Sequence, residues 1–128
     1  MDIIPYNGTT LAFIGDAVMT LRVREMFVKQ GYQKPNQLHR LTSSWVSAKA
    51  QAKFVTKLMD MNFFTEEELQ IIRRGRNATL HTMAKNADVA TYRLATGLEA
   101  IIGYYQIYGE QERLELLWKT IVEIGAKK

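Results

Sequence analysis

Apolar residues along this chain recur at spacings of three and four and nowhere alternate over a strand's length, which predicts an all-α protein. The first predicted helix runs from about Thr10 to Lys29, with Leu11, Ile14, Val18 and Leu21 on one stripe and Gly31 as its stop signal. Pro35-Asn36 opens a short helix through about Leu41. A longer one follows from about Ser43 to Met59, where Trp45, Ala48, Ala52, Val55 and Met59 share a face and Lys49, Lys53 and Lys57 form a row beside it. Thr65-Glu66-Glu67-Glu68 reads as a capping box, with Thr65 as N-cap and Glu68 reaching back, so a helix runs from Glu66 to about Arg74. Gly75 to Ala87 reads as irregular, Asp88 to Tyr108 as a long apolar helix, and Glu110 to Glu123 as the last helix before Gly125. There is no internal repeat and no low-complexity segment.

The 128 residues suit one domain able to bury its own core. With 47% apolar residues and two prolines the chain is globular in composition, and no apolar run approaches the roughly 18 residues of a membrane span. Met1 to Gly8 has neither the basic start nor the apolar stretch of a signal peptide, so a cytoplasmic location is expected. Zero cysteines exclude disulfides, thiolate zinc sites and a cysteine nucleophile. The only two histidines, His39 and His81, are too few for most histidine metal sites. They suit loop or core hydrogen bonding better than acid–base work. Any metal would be held by oxygen.

The net charge of +4 is modest, but its distribution changes the picture. Between Glu25 and Asp60 lie six cations, Lys29, Lys34, Arg40, Lys49, Lys53 and Lys57, without one acid; between Glu68 and Asp88 lie four more, Arg73, Arg74, Arg76 and Lys85, again without one. Such segregation suits a surface that attracts a polyanion, most simply nucleic acid. Ordinary solvated helix faces are the plain alternative.

Two stretches, Leu11-Ala-Phe-Ile-Gly-Asp16-Ala-Val and Thr96-Gly-Leu-Glu99-Ala-Ile-Ile-Gly103, each set one carboxylate in an otherwise apolar helical run. A buried acid is costly unless it is paired, hydrogen-bonded or bound to metal. Asp16 shares its helical face with Thr9, Ala12 and Thr20, and Glu99 is expected in the core or lining a cleft. On spacing alone two readings stand. The acids cap or pair with a basic neighbour such as Arg93, or they converge on one hard cation such as Mg²⁺.

These two stretches resemble the signature helices of the ribonuclease III endonuclease domain, whose members typically read E-R-L-E-F-L-G-D-A-V-L and A-D-x-x-E-A-L-I-G. The matches are Leu11, Phe13, Gly15, Asp16, Ala17 and Val18, then Glu99, Ala100, Ile102 and Gly103. Gly15 inside a helix, which costs about 1 kcal/mol relative to alanine, suggests close approach of another backbone. Lys34-Pro-Asn-Gln-Leu-His39, Val46-Ser-Ala-Lys-Ala-Gln-Ala52, Arg73-Arg-Gly-Arg-Asn-Ala78 and Lys85-Asn-Ala-Asp-Val89 with Thr91-Tyr-Arg93 are similar to its compact Mini-ribonuclease III branch, which lacks the double-stranded-RNA-binding domain. Met83-Ala84 departs from members with proline just before the lysine.

The resemblance implies a single ribonuclease III-like endonuclease domain over residues 1–128 with no separate RNA-binding domain. It also implies a Mg²⁺-dependent endoribonuclease, with Mn²⁺ able to substitute, that cleaves structured, double-stranded precursor RNA. Maturation of 23S ribosomal RNA ends is the expected role. Asp16 is expected to be the principal metal ligand and catalytic carboxylate, with Glu99 as partner ligand. Arg73, Arg74, Arg76, Asn77, Lys85, Asn86, Lys49 and Lys53 are the candidate RNA contacts, extended by Lys57. A symmetric homodimer is expected. Tyr104, Tyr105, Tyr108 and Trp118 suit core or interface packing rather than base stacking. Where most members carry further acids this chain has Thr9, Ala12 and Thr96, which favours one tightly held ion over two. The absence of those acids leaves open a catalytically silent RNA-binding or ribosome-assembly module.

Overall fold

A computed structural model describes residues 5–78 and 88–127. Six helices, and no strand, form among them: α1 (Gly8–Lys29), α2 (Pro35–Val46), α3 (Ala48–Asp60), α4 (Glu66–Arg76), α5 (Val89–Ile107) and α6 (Gln111–Ala126). The all-α expectation is met in a single domain. The centre is α5, buried along Ala95, Thr96, Gly97, Leu98, Ala100, Ile101, Ile102, Gly103 and Tyr105, with α1, α3 and α4 packed around it. A helix enclosed on most sides has no polar face to display, which is why this segment is apolar nearly throughout.

The seam of α1 differs from the predicted stripe. Leu11, Gly15, Met19, Val23 and Phe27 are buried at steps of four, while Ile14 and Val18 are half-buried and Leu21 is 59% exposed. The cause is Gly15. Its α-carbon lies against the backbone of Glu99, and Gly103 on α5 lies in turn against the carbonyl of Leu11, so either glycine given a Cβ would overlap main chain. The backbones meet where the side chains are smallest, and the apolar seam follows that ridge. Asn7 caps α1 by accepting from Thr10 N at 2.8 Å, so the helix begins at Gly8, two residues ahead of the predicted start. At the other end Gly31, at φ 103°, takes the left-handed conformation expected of a stop.

The second and third helices divide later than predicted. Helix α2 continues to Val46, which carries Trp45 onto it rather than onto α3, and Ser47 at φ −63°, ψ 156° makes the break. Its hydroxyl accepts from Ala50 N at 3.2 Å and caps α3. The buried face of α3 is Gln51, Ala52, Phe54, Val55 and Leu58. Helix α4 begins at the predicted capping box, with Glu68 N donating to Thr65 Oγ1 at 3.2 Å and Thr65 N donating to Glu68 Oε1 at 2.9 Å.

Gly75 does not end α4. It is buried against Thr96 and Gly97 of α5, and the helix runs on to Arg76 with Asn77 as its cap. The rest of the predicted irregular segment, 79–87, lies outside the described residues, as do His81, Lys85 and Asn86. Helix α6 likewise passes through Gly125, which packs on the Trp45 ring.

Glu68 also anchors the far side of the core. Its carboxylate accepts from Tyr105 Oη at 2.8 Å and from Arg113 Nε at 2.9 Å and Nη2 at 2.6 Å. Burial would push this carboxyl up, but the hydrogen bonds from Arg113, Thr65 N–H and Tyr105 outweigh it and hold it below the usual carboxylate range. Arg113 also donates to Phe63 O at 3.0 Å and stacks over the Phe63 ring at 4.5 Å.

Candidate active site

The close packing of α1 on α5 brings the two signature carboxylates together, since Asp16 follows Gly15 and Glu99 is the residue Gly15 touches. Both line a cleft of about 400 Å³ with Thr9, Ala12, Phe13, Val46, Ala48, Gln51, Ala78, Tyr92, Ala95 and Thr96. Thr9, Ala12 and Thr96, the positions at which the resemblance implies further acids, all line this cleft.

The two acids sit in different settings. Asp16 is exposed, so the expectation of a costly buried charge fails for it, whereas Glu99 is mostly enclosed. Burial first, then the hydrogen-bonded and like-charged Asp16, push the Glu99 carboxyl up to about 8, against a smaller opposing pull from Gln51. Gln51 Nε2 lies 3.5 Å from Glu99 Oε2. Arg93 is exposed and forms no ion pair with either acid among the described residues, so pairing with that cation does not account for them.

The donors suit a hard cation. Two carboxylates meet in an open cleft lined also by Gln51, whose buried amide oxygen has no hydrogen-bond partner among the described residues. No group of three or more His, Cys, Asp and Glu side chains converges there among the described residues. The site is a carboxylate pair and not a full acidic cluster.

The candidate RNA contacts are scattered around this cleft, and none of the described ones lines it. Arg73, Arg74, Arg76 and Asn77 are exposed at the end of α4. Arg74 and Asn77 line a neighbouring hollow with Tyr6, Asn7 and Gly8, and this hollow shares Thr9 and Ala78 with the carboxylate cleft. Arg74 also donates to Tyr6 O at 3.3 Å, tying the N-terminal segment to α4. Lys49, Lys53 and Lys57 are exposed along the outside of α3. His39 lies on α2 and lines a different hollow, with Arg24, Val28 and Leu38.

Tyr105 is a core residue hydrogen-bonded to Glu68; Tyr104 packs on Tyr105 and Tyr108, and Trp118 packs on Trp45. A larger cleft of about 720 Å³ between α1 and α6 holds the Arg22–Glu115 ion pair, with Glu25 also on its lining. Gln51 is the site residue that periodicity alone passes over. The signal is present in the chain: a lone amide on the apolar face of α3.

No helix among the described residues is long and apolar enough to cross a membrane. Residues 9–110 match the family model described as the Ribonuclease III domain. The chain is 49% identical over 111 residues to a Mini-ribonuclease 3 of Enterococcus faecalis, covering 87% of this chain and 84% of that one. It is 46% identical over 117 residues to a Mini-ribonuclease 3 of Streptococcus pneumoniae, covering 91% of each. A crystal structure of protein FN1578 from Fusobacterium nucleatum superposes with a TM-score of 0.82 at 31% identity, covering 95% of this chain and 96% of that one. With its fold, its paired acids and these relatives in agreement, the chain belongs to the ribonuclease III family and is an endoribonuclease acting on RNA.

Proposed function

We propose that this protein hydrolyses phosphodiester bonds in double-stranded precursor RNA with Mg²⁺, or Mn²⁺ in its place, held between Asp16 and Glu99. The observation that carries this reading is the meeting of those two carboxylates in one open cleft. An ion held there would lower the pKa of water and offset charge on the attacked phosphate. Asp16, exposed to the cleft, is the principal ligand and catalytic carboxylate. Glu99, the more enclosed of the two, is the partner ligand that gives up its proton when the cation arrives. No side-chain nucleophile is needed.

The substrate surface begins at the α4 end. Arg73 and Arg76, exposed and without an ion pair among the described residues, offer guanidinium forks to phosphate oxygens, with Arg74 and Asn77 in the hollow between them and the acids. Lys49, Lys53 and Lys57 extend the cationic surface along α3, and Lys85 with Asn86 belong to the same reading by resemblance. Duplex RNA is read here by shape, 2′-hydroxyls and phosphates, with no base code. Resemblance to the compact family branch points to 23S ribosomal RNA ends in the cytoplasm as the physiological target.

A homodimer completes the reading. Phe13, Leu21 and Val28 are 77%, 59% and 56% exposed and fall on one side of α1, an apolar row broken by the exposed Arg24 and Glu25, which a second copy would cover. Phe13 also lines the carboxylate cleft, so such a partner would stand beside the site and set two sites against the two strands of a duplex. The deciding experiment incubates duplex RNA with the protein, with and without Mg²⁺, beside Asp16→Asn. Mg²⁺-dependent cutting that disappears in the variant is expected, and retained cutting by Asp16→Asn would overturn the assignment.

A further inference from the structure

Gln51 is only 2% exposed on a helix face that is otherwise apolar, where an amide is costly unless its groups are satisfied. Its Nε2 donates to the carbonyl of Val46 at 2.9 Å and lies 3.5 Å from Glu99 Oε2. The break between α2 and α3 sets this up. Ala50 N–H, four residues beyond Val46, is taken by the Ser47 hydroxyl, and the side-chain amide of Gln51 donates to the Val46 carbonyl. A carbonyl can only accept, so the amide is held with nitrogen toward Val46. Its second N–H is thereby free to face Glu99. The remaining atom, Oε1, is fully buried without a protein partner among the described residues, in a side chain that lines the cleft holding both acids.

We propose that Gln51 is a positioning residue of the carboxylate site: pinned by Val46, it orients the Glu99 carboxylate for a divalent cation. The inference rests on the metal-dependent reading above. Partners of this kind, one step behind the ligands, typically change metal affinity by about 10–100-fold.

The test is Mn²⁺ binding to the RNA-free protein by calorimetry, for the wild type, Gln51→Leu and the more flexible Gln51→Met, with melting curves in chelator for each. Expected is a Kd weakened about tenfold or more in whichever variant folds. The Mg²⁺ concentration giving half-maximal cleavage should rise while the KM for RNA stays put. Unchanged Mn²⁺ affinity in a folded variant, with only its melting temperature lowered, overturns the proposal and leaves Gln51 a packing residue. In the wild type, the Gln51 side-chain amide resonances should shift on adding Mg²⁺, a readout that needs no variant; unmoved resonances also overturn it. A wild type that binds no Mn²⁺ would overturn this inference and the metal-dependent function together, whereas binding that the variants leave intact overturns the inference alone.

Discussion

The α-carbon of Gly15 lies against the carbonyl oxygen of Glu99, with no room between them for a methyl group. Gly15→Ala therefore drives α1 and α5 apart at the level of both acids. Overpacking of this kind costs about 1–3 kcal/mol. Urea unfolding should show that destabilisation, and RNA cleavage should fall further than the folded fraction does, because the separation of Asp16 and Glu99 changes in the molecules that remain folded.

Asp16 is exposed, so Asp16→Asn opens no cavity and should leave the protein folded, its unfolding free energy changed only through the like charge and hydrogen bond it alters beside Glu99. Duplex RNA binding should persist in the variant and cleavage should disappear. A gel-shift assay beside a cleavage assay on the same preparations separates the two effects.

Glu99 makes the metal-free protein sensitive to pH in a stated direction. Its carboxyl is raised in the fold to about 8 from an ordinary value of 4.5, so between those limits the folded state holds a proton that the unfolded state has released. That contribution to stability is fully present below pH 4.5 and is lost as the pH rises through 8. Melting temperatures in chelator should fall across this range more in wild type than in Glu99→Gln. Mn²⁺ affinity should move the opposite way and rise toward pH 8, since the ion displaces the proton.

Far from the cleft, Glu68→Ala removes an N-terminal cap and strands Arg113 and Tyr105 in one step. Breaking a buried pair from one side costs about 3 kcal/mol. Because the fold holds the Glu68 carboxyl low, its contribution is present above pH 4.5 and is lost on acidification through its folded-state value. Chemical denaturation at neutral and at acid pH should show the gap between wild type and variant narrowing on the acid side.

Arg73 and Arg76 give the cleanest test of the RNA surface, since Arg74 also holds Tyr6. Replacing both with alanine should reduce the slope of log affinity against log salt by about 0.7–0.9 for each phosphate that the pair neutralises. An unchanged slope in filter binding would remove them from the interface.

Much of this fold is legible in the sequence because it is written in periodicity and caps. The helices, the Thr65–Glu68 box and the turn at Gly31 all rest on local chemistry that a short window contains. Two of the departures share an origin. Gly75 and Gly125 read as stops in the sequence, yet each is a contact surface whose partner, on α5 or at Trp45, lies elsewhere in the chain; Gly15 is legible as a point of close backbone approach, and only its partner is not. Leu21 falls outside the buried seam for the same reason, since the seam follows a glycine that no hydrophobic count includes. The paired acids are visible through motif resemblance. Gln51 is not, because its role depends on a helix break at Ser47 that competes with equally plausible serines at 43 and 44.

The reciprocal notches at Gly15 and Gly103 have a mechanical consequence. Two backbone-to-backbone contacts on facing helices, Gly15 on Glu99 and Gly103 on Leu11, key α1 into α5 at a single register, so the main-chain spacing beneath the two acids is set by the fold itself.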